Sequence, residues 1–217
     1  HATDEQEWLD IQANFGSRVK ARVAGNFPGR VGPYPGSLSK TPGTLSLIFV
    51  GRLHPIKNLD FLLRLLPGIS GELSLTIVGS EEDAAYVHRC QQLTREWPDR
   101  LQVHFEGEIP PDKLPAMLRQ AHIFVLPTRG ENFGHAIFEA LQQGRPVLIS
   151  DQTPWKGLQA SGAGWDLSLE DQKAWIVALQ QAVDADQSAY DQWSAGAWQR
   201  AHDFVQNSNL KQAYLKL

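Results

Sequence analysis

The chain has 217 residues, 42% apolar and 20% charged, enough for one good core and a small appendage at most. Its net charge of −4 comes without the basic stripe of a nucleic-acid binder, so no nucleic-acid partner is expected. A lone cysteine, Cys90, excludes an intrachain disulfide and fits a reducing, cytoplasmic compartment, and no apolar run reaches the length of a membrane span or a signal segment.

In chain order, the sequence predicts a helix over WLDIQANFG, ended by Gly16, and a short apolar piece over 19–23, so that residues 1–27 read as one unit. Residues 28–44 are rich in Pro, Gly and Ser with few apolar anchors, the composition of a linker. From residue 45 onward strand and helix patterns alternate. LSLIFV (45–50), LSLTIV (73–78), LQVHFE (101–106), HIFVLP (122–127) and PVLIS (146–150) are short β-prone runs. The first and the last two are near-continuously apolar, as strands buried on both faces of a parallel sheet are. Between them lie helical patterns: Asn58 as N-cap of LDFLLRLL, a charged helix over 82–97, DKLPAMLRQA started by Pro111, and a run from Gly134 that stops at Gly144. The stretch 172–217 is helical and carries Trp175, Trp193 and Trp198. This alternation predicts right-handed βαβ units and a doubly wound α/β sheet over 45–185, followed by helices over 186–217. Ligands of such sheets bind outside the strand C-termini, where the loops 51–57, 79–82, 107–110 and 128–134 fall.

The segment 131–141, ENFGHAIFEAL, places two carboxylates eight positions apart. A continuous helix would separate them by roughly 12 Å and aim them in different directions. The geometry is better served with Glu131 on a loop and a helix beginning near Gly134. Glu139 then projects from the second turn, and the first-turn N–H groups stay free for an anion. Two acceptors flanking a backbone anion site suit a ligand with hydroxyls at each end and phosphate in the middle, the layout of a nucleotide-sugar.

This segment resembles the E-x7-E motif of the retaining GT-B glycosyltransferases of family 4, the glycosyl transferases group 1. GRLHPIKNLDFLL (51–63) resembles that family's strand-end segment with Arg and Lys, and SLTIVGS (74–80) its next strand. The ordered resemblance runs over about 45–166. It implies a Rossmann-like doubly wound domain, the C-terminal, donor-binding half of a GT-B fold. Residues 1–27 would be a remnant of the acceptor half, 28–44 the interdomain linker, and 198–217 the helix that packs back toward that half. By the resemblance, Arg52 and Lys57 neutralise the donor diphosphate and stabilise it as it leaves. Glu131 holds hydroxyls of the donor sugar, Glu139 those of the ribose, and the backbone at Phe133 and Gly134 faces the phosphate. Arg52, Lys57 and Glu131 are thereby the catalytic candidates, and Gly51 and Asn132 join the donor-binding set. Gly79 and Ser80 would line one side of the nucleobase and Glu108 and Ile109 the other, unless the last two are only turn residues before Pro110-Pro111.

The resemblance further implies a UDP-sugar or GDP-sugar donor, no cofactor and no metal. It implies transfer of a hexose with retention to a glycan or lipid-linked acceptor in lipopolysaccharide or exopolysaccharide synthesis, with peripheral membrane association of the full-length enzyme. Because the acceptor half is expected to be missing, the chain alone is expected to be inactive. DQTPWKGL (151–158) resembles a TPW variant of members that build bacterial surface polysaccharides; Lys156 departs from the Gly-rich, Glu-bearing loop of many others, which leaves the sugar open. Trp155 is either a sugar-stacking or a packing residue. His135 is a candidate base or a structural residue of the first helical turn. Asp184-Ala185-Asp186 reads as a solvated helix terminus and not a metal site, Cys90 as a core or surface thiol, and His54, His88, His104, His122 and His202 lack metal-ligand spacing. Two other readings stay open: a phosphorylase or sugar-nucleotide epimerase of the same fold, and a non-enzymatic α/β nucleotide-binding module of flavodoxin type. The latter would want a phosphoacceptor Asp where the chain has Gly51-Arg52.

Overall fold

The computed structural model describes residues 12–14 and 31–207. Of the helix and strand expected within 1–27, only the helical residues 12–14 are described, and 208–217, half of the expected return helix, also lie outside. The described residues fall into two compact units, Gly32–Ala201 and a second that includes 12–14 and 202–207.

The larger unit is a parallel sheet of six strands in the order β3-β2-β1-β4-β5-β6. The strands are β1 (Thr44–Val50), β2 (Glu72–Val78), β3 (Leu101–Gly107), β4 (Ile123–Leu126), β5 (Val147–Ser150) and β6 (Gly164–Leu167). This is the doubly wound α/β sheet that the alternation predicts, with the order reversing between β1 and β4. The sequence reading missed β6: GWDL is short and opens on glycine, so it carries too few β-branched residues to register. β4 and β5 are buried at every position, whereas the edge strand β3 alternates between covered and exposed residues.

Helices α1 (Leu59–Leu65), α2 (Ala84–Thr94), α3 (Leu114–Leu118), α4 (His135–Gln142), α5 (Gln172–Asp184) and α6 (Gln187–Asn207) flank the sheet strands in sequence. α1 buries Leu59, Leu62, Leu63 and Leu65, and α5 buries Trp175, Ala178, Leu179, Ala182 and Val183; both are the i, i+3, i+4 stripes of a helix lying on a core. Asp83 and Asp171 cap α2 and α5 by accepting from the N–H of Tyr86 and Ala174. Asn58 occupies the N-cap of α1 but does not cap it with its side chain. It sits in the left-handed region at φ 55°, closing a tight turn over Pro55–Lys57, and its carboxamide oxygen accepts from Arg129 instead. The charged helix expected over 82–97 is trimmed to α2, and that started by Pro111 to the five residues of α3.

From residue 32 on, the expected linker belongs to the same compact unit as the sheet. Its ties are mostly to main-chain carbonyls. The Lys40 ammonium donates to Thr41 O, Val183 O and Ala185 O, and the Arg145 guanidinium donates to Gly36 O, Gln143 O and Ala121 O. Both cations are buried. His122 accepts from the Ser46 N–H at Nδ1 (2.9 Å), which leaves its Nε2 to donate to Ser39 O (2.9 Å). The imidazole is therefore held neutral.

Candidate functional site

Full in-register pairing of β1 with β2, from Thr44↔Glu72 to Val50↔Val78, ends both strands at glycine. Gly79 needs to be one: its φ is +148°, and a Cβ there would stand 2.0 Å from Gly51 O. The register of β2 on β3 shifts after Ile77, and Gly79 N–H donates to Gly107 O. The loops after β1, β2 and β3 are thus tied together at the C-terminal edge of the sheet. Leu53 N–H donates to Ser80 O and Asp83 N–H to Leu53 O, fastening the 51–58 loop to the next one.

The 51–58 loop is fastened on its other side to the loop after β4. Arg129 N–H donates to Ile56 O at 2.7 Å, and Arg129 reaches Asn58. These ties bring Lys57 to Glu131, Nζ to Oε2 at 2.6 Å, with the side chains only 12% and 20% exposed. Glu131 in turn overhangs the start of α4: a Cβ on Gly134 would lie 3.3 Å from Glu131 Cγ and 2.7 Å from Ile137 Cδ1. Gly134 also holds φ +79° as the N-cap of α4, a conformation that favours glycine there. The helix starts where the spacing of the carboxylates predicts. Its first-turn N–H groups have no intrahelical acceptor.

Glu139 stands on the second turn of α4, half-buried, and burial pushes its carboxyl above the ordinary value of 4.5 despite the counter-pull of His135. Arg52 sits apart from the Lys57–Glu131 pair. It is exposed and forks onto both carboxylate oxygens of Glu82, at 2.8 and 3.1 Å. Glu82 went unnoticed in the sequence because nothing local pairs it with a residue thirty positions away. Asn132 and Glu108 are exposed and Ile109 half-covered, and among the described residues no hydrogen bond ties Glu108 or Ile109 to the cluster.

The segment after β5 braces the loop that carries Glu131. Trp155 is 3% exposed, and its indole N–H donates to Phe133 O; this is the packing role, not the sugar platform. Glu131 N–H donates to Gln152 O, and the Lys156 ammonium folds back onto Asp151 O. His135 is exposed and its ring lies against Phe133. Cys90 is fully buried with its thiol pushed up to about 11 by burial, which makes it a core residue and a poor nucleophile. Asp186 accepts from the Ala189 N–H at the start of α6, a helix terminus as expected. Among the described residues no cluster of His, Cys, Asp and Glu is arranged to hold a metal, and no helix is long and apolar enough to cross a membrane.

A cavity of about 470 Å³ opens at the opposite, N-terminal edge of the strands among Thr44, Glu72, Asp99 and His122 and includes none of these groups. The strand C-terminal edge is the chemically competent one. There Lys57, Glu131 and the α4 N-terminus converge, whereas the cavity at the far edge offers carboxylates beside hydrogen-bonded Arg100 and His122.

The sequence pattern of the family described as Glycosyl transferases group 1 matches residues 44–184. D-inositol 3-phosphate glycosyltransferase of Acidothermus cellulolyticus is 31% identical over 113 residues, covering 48% of this chain and 25% of that protein. The chain spans about a quarter of the length of the first curated relatives it matches. Among solved structures, the apo form of the lipopolysaccharide outer core galactosyltransferase WaaB superposes with a TM-score of 0.66 at 22% identity, over 100% of this chain and 61% of that one. Anabaena HepE in complex with UDP and glucose superposes with a TM-score of 0.73 at 15% identity, over 99% and 61%. These superpositions identify the fold as the Rossmann-like one found in GT-B glycosyltransferases.

Proposed function

The chain belongs to the glycosyl transferases group 1 family, and on that premise we propose that it is the nucleotide-sugar-binding half of a retaining hexosyltransferase. The observation that carries this reading is the convergence of Lys57, Glu131 and the Gly134 turn at one point of the sheet edge, with Glu139 one helical turn further on. A diphosphate placed at the α4 N-terminus meets the free N–H groups of that turn and the Lys57 ammonium, and the exposed Arg52 fork is within the same row of loops. These groups offset the charge that gathers on the diphosphate as the glycosidic bond breaks. Glu131 takes hydroxyl protons of the sugar as hydrogen bonds, and Glu139 those of the ribose.

We favour UDP over GDP, since the HepE relative was captured with UDP and glucose. Cations and helix dipole supply the charge in this scheme, so binding is independent of a divalent metal. The acceptor is a glycan or lipid-linked glycan of a bacterial surface polysaccharide, in keeping with the WaaB likeness. The whole enzyme would work in the cytoplasm at the inner membrane face, and transfer would require an acceptor half facing this one. Calorimetric titration with UDP, GDP, ADP and CDP, with and without chelator, tests the reading. Saturable binding of one of them that survives chelator is expected; binding of none would overturn the function, and binding lost with chelator would overturn its metal independence.

A further inference from the structure

The braces behind the Glu131–Gly134 turn act on one peptide unit more than on any other. Ser150 Oγ donates to Thr128 O at 2.5 Å and Glu131 N–H to Gln152 O at 3.1 Å, which fixes the loop up to Glu131. The indole N–H of Trp155 then takes Phe133 O at 2.7 Å. Trp155 is itself clamped. Its ring stacks on Phe138 of α4 (6.0 Å, 26°), meets Phe133 edge-on and carries the Arg200 guanidinium 5.9 Å from its centroid, and its main-chain N–H donates to Thr153 Oγ1.

A trans peptide is planar, with its C=O and N–H pointing in opposite directions. Drawing Phe133 O inward to Trp155 therefore turns the Gly134 N–H outward, away from the brace. Among the described residues that N–H has no acceptor of its own. Glycine does not fix this orientation by itself: rotating the peptide by half a turn carries Gly134 from φ +79° to a negative φ, and glycine occupies both readily. The flipped peptide would present a carbonyl where an anion should meet a donor.

Resting on the donor-binding reading above, we propose that Trp155 is a positioning residue that holds the Phe133–Gly134 peptide in its anion-receiving orientation, so that Gly134 N–H is the first backbone donor to the donor diphosphate. Trp155 acts through that peptide and touches no phosphate. Its contribution is specific to the charged middle of the ligand; base and ribose are held elsewhere.

The test compares wild type and Trp155→Phe, which keeps a ring against Phe138 and removes the N–H. UDP or GDP, whichever the wild type binds, is titrated alongside its phosphate-free nucleoside. Diphosphate affinity is expected to fall about three- to tenfold, the worth of one hydrogen bond, with the nucleoside unchanged. Equal affinity of wild type and variant for the diphosphate, or an equal loss for both ligands, overturns the positioning role while leaving the donor site standing. A wild type that binds neither diphosphate overturns the donor-binding reading and this inference with it. The wild type supplies a second measurement that needs no variant to fold. By ¹⁵N NMR the Trp155 indole proton should exchange slowly with and without ligand, and the Gly134 amide should shift with diphosphate and not with nucleoside. An indole proton that exchanges as fast as an exposed one, or a Gly134 amide indifferent to diphosphate, counts against the proposal.

Discussion

Lys57 Nζ lies 2.6 Å from Glu131 Oε2, so the cation assigned to the diphosphate and the carboxylate assigned to the sugar neutralise one another in the ligand-free protein. The pair is mostly buried, which separates its two variants. Lys57→Ala should weaken nucleoside diphosphate binding by about 1.5–3 kcal/mol and also lower the unfolding free energy by about 1–3 kcal/mol, since Glu131 is left without its partner. Glu131→Gln should leave diphosphate affinity equal or higher, because the ammonium is released to the ligand, yet lose the increment that the nucleotide-sugar has over the free nucleotide. Calorimetry paired with urea unfolding reads both. Identical ligand profiles for the two variants would dissolve the assignment.

Arg52 is engaged differently. Its ion pair with Glu82 is exposed, and such pairs contribute about 0–1 kcal/mol and weaken with salt. Glu82→Gln should raise diphosphate affinity about two- to fivefold in dilute buffer, with the gain fading at high ionic strength. Arg52→Ala should lose affinity at both. A gain in Glu82→Gln that ignores salt would mean that Glu82 does not compete with the ligand for Arg52.

Glu139 carries a stability cost that its function would explain. Its folded pKa is raised above 4.5 by burial, so ionisation is disfavoured in the folded state; the destabilisation is present at neutral pH and relieved as pH falls through the folded value toward 4.5. Glu139→Gln should therefore be at least as stable as wild type at pH 7 while binding nucleotide and nucleotide-sugar more weakly to the same degree. Urea midpoints beside the two titrations decide it, and a variant that is less stable and binds normally contradicts the ribose role.

His122 gives the fold a pH dependence of the opposite kind. Burial lowers its pKa from 6.5, with Lys40 and Arg145 adding to the effect and the Ser39 carbonyl opposing it. The folded pKa lies below the unfolded one, so the stability that neutral His122 confers is complete above pH 6.5 and declines as pH falls from there toward the folded value. Protonation would set an Nδ1–H against the Ser46 N–H. His122→Gln should flatten the unfolding free energy between pH 6.5 and 5; an unchanged slope would assign the dependence to another group.

The alternation of apolar runs is enough to predict five strands and their parallel sheet, because strands buried on both faces announce themselves residue by residue. The start of α4 is equally plain in ENFGHAIFEAL, since a glycine that must hold a positive φ sits between two carboxylates. The side-chain partners are not readable. Glu82 faces Arg52 and Trp155 reaches Phe133 across loops joined only by strand register, and such pairings leave no period in the sequence. The Pro- and Gly-rich composition of 28–44 suggests a free linker for a related reason: the groups that hold it, Arg145, His122 and Gln187, are all distant in the chain.

The way Lys40 and Arg145 are held has an evolutionary corollary. Their acceptors are mostly main-chain oxygens, which every amino acid at those positions supplies. Sequence drift in residues 36, 121, 183 and 185 therefore cannot erase the acceptor half of the fastening, whereas a single change at Lys40 or Arg145 removes a whole donor set at once. Loss of the fastening should therefore arise by change at the two positions that give and not at those that receive.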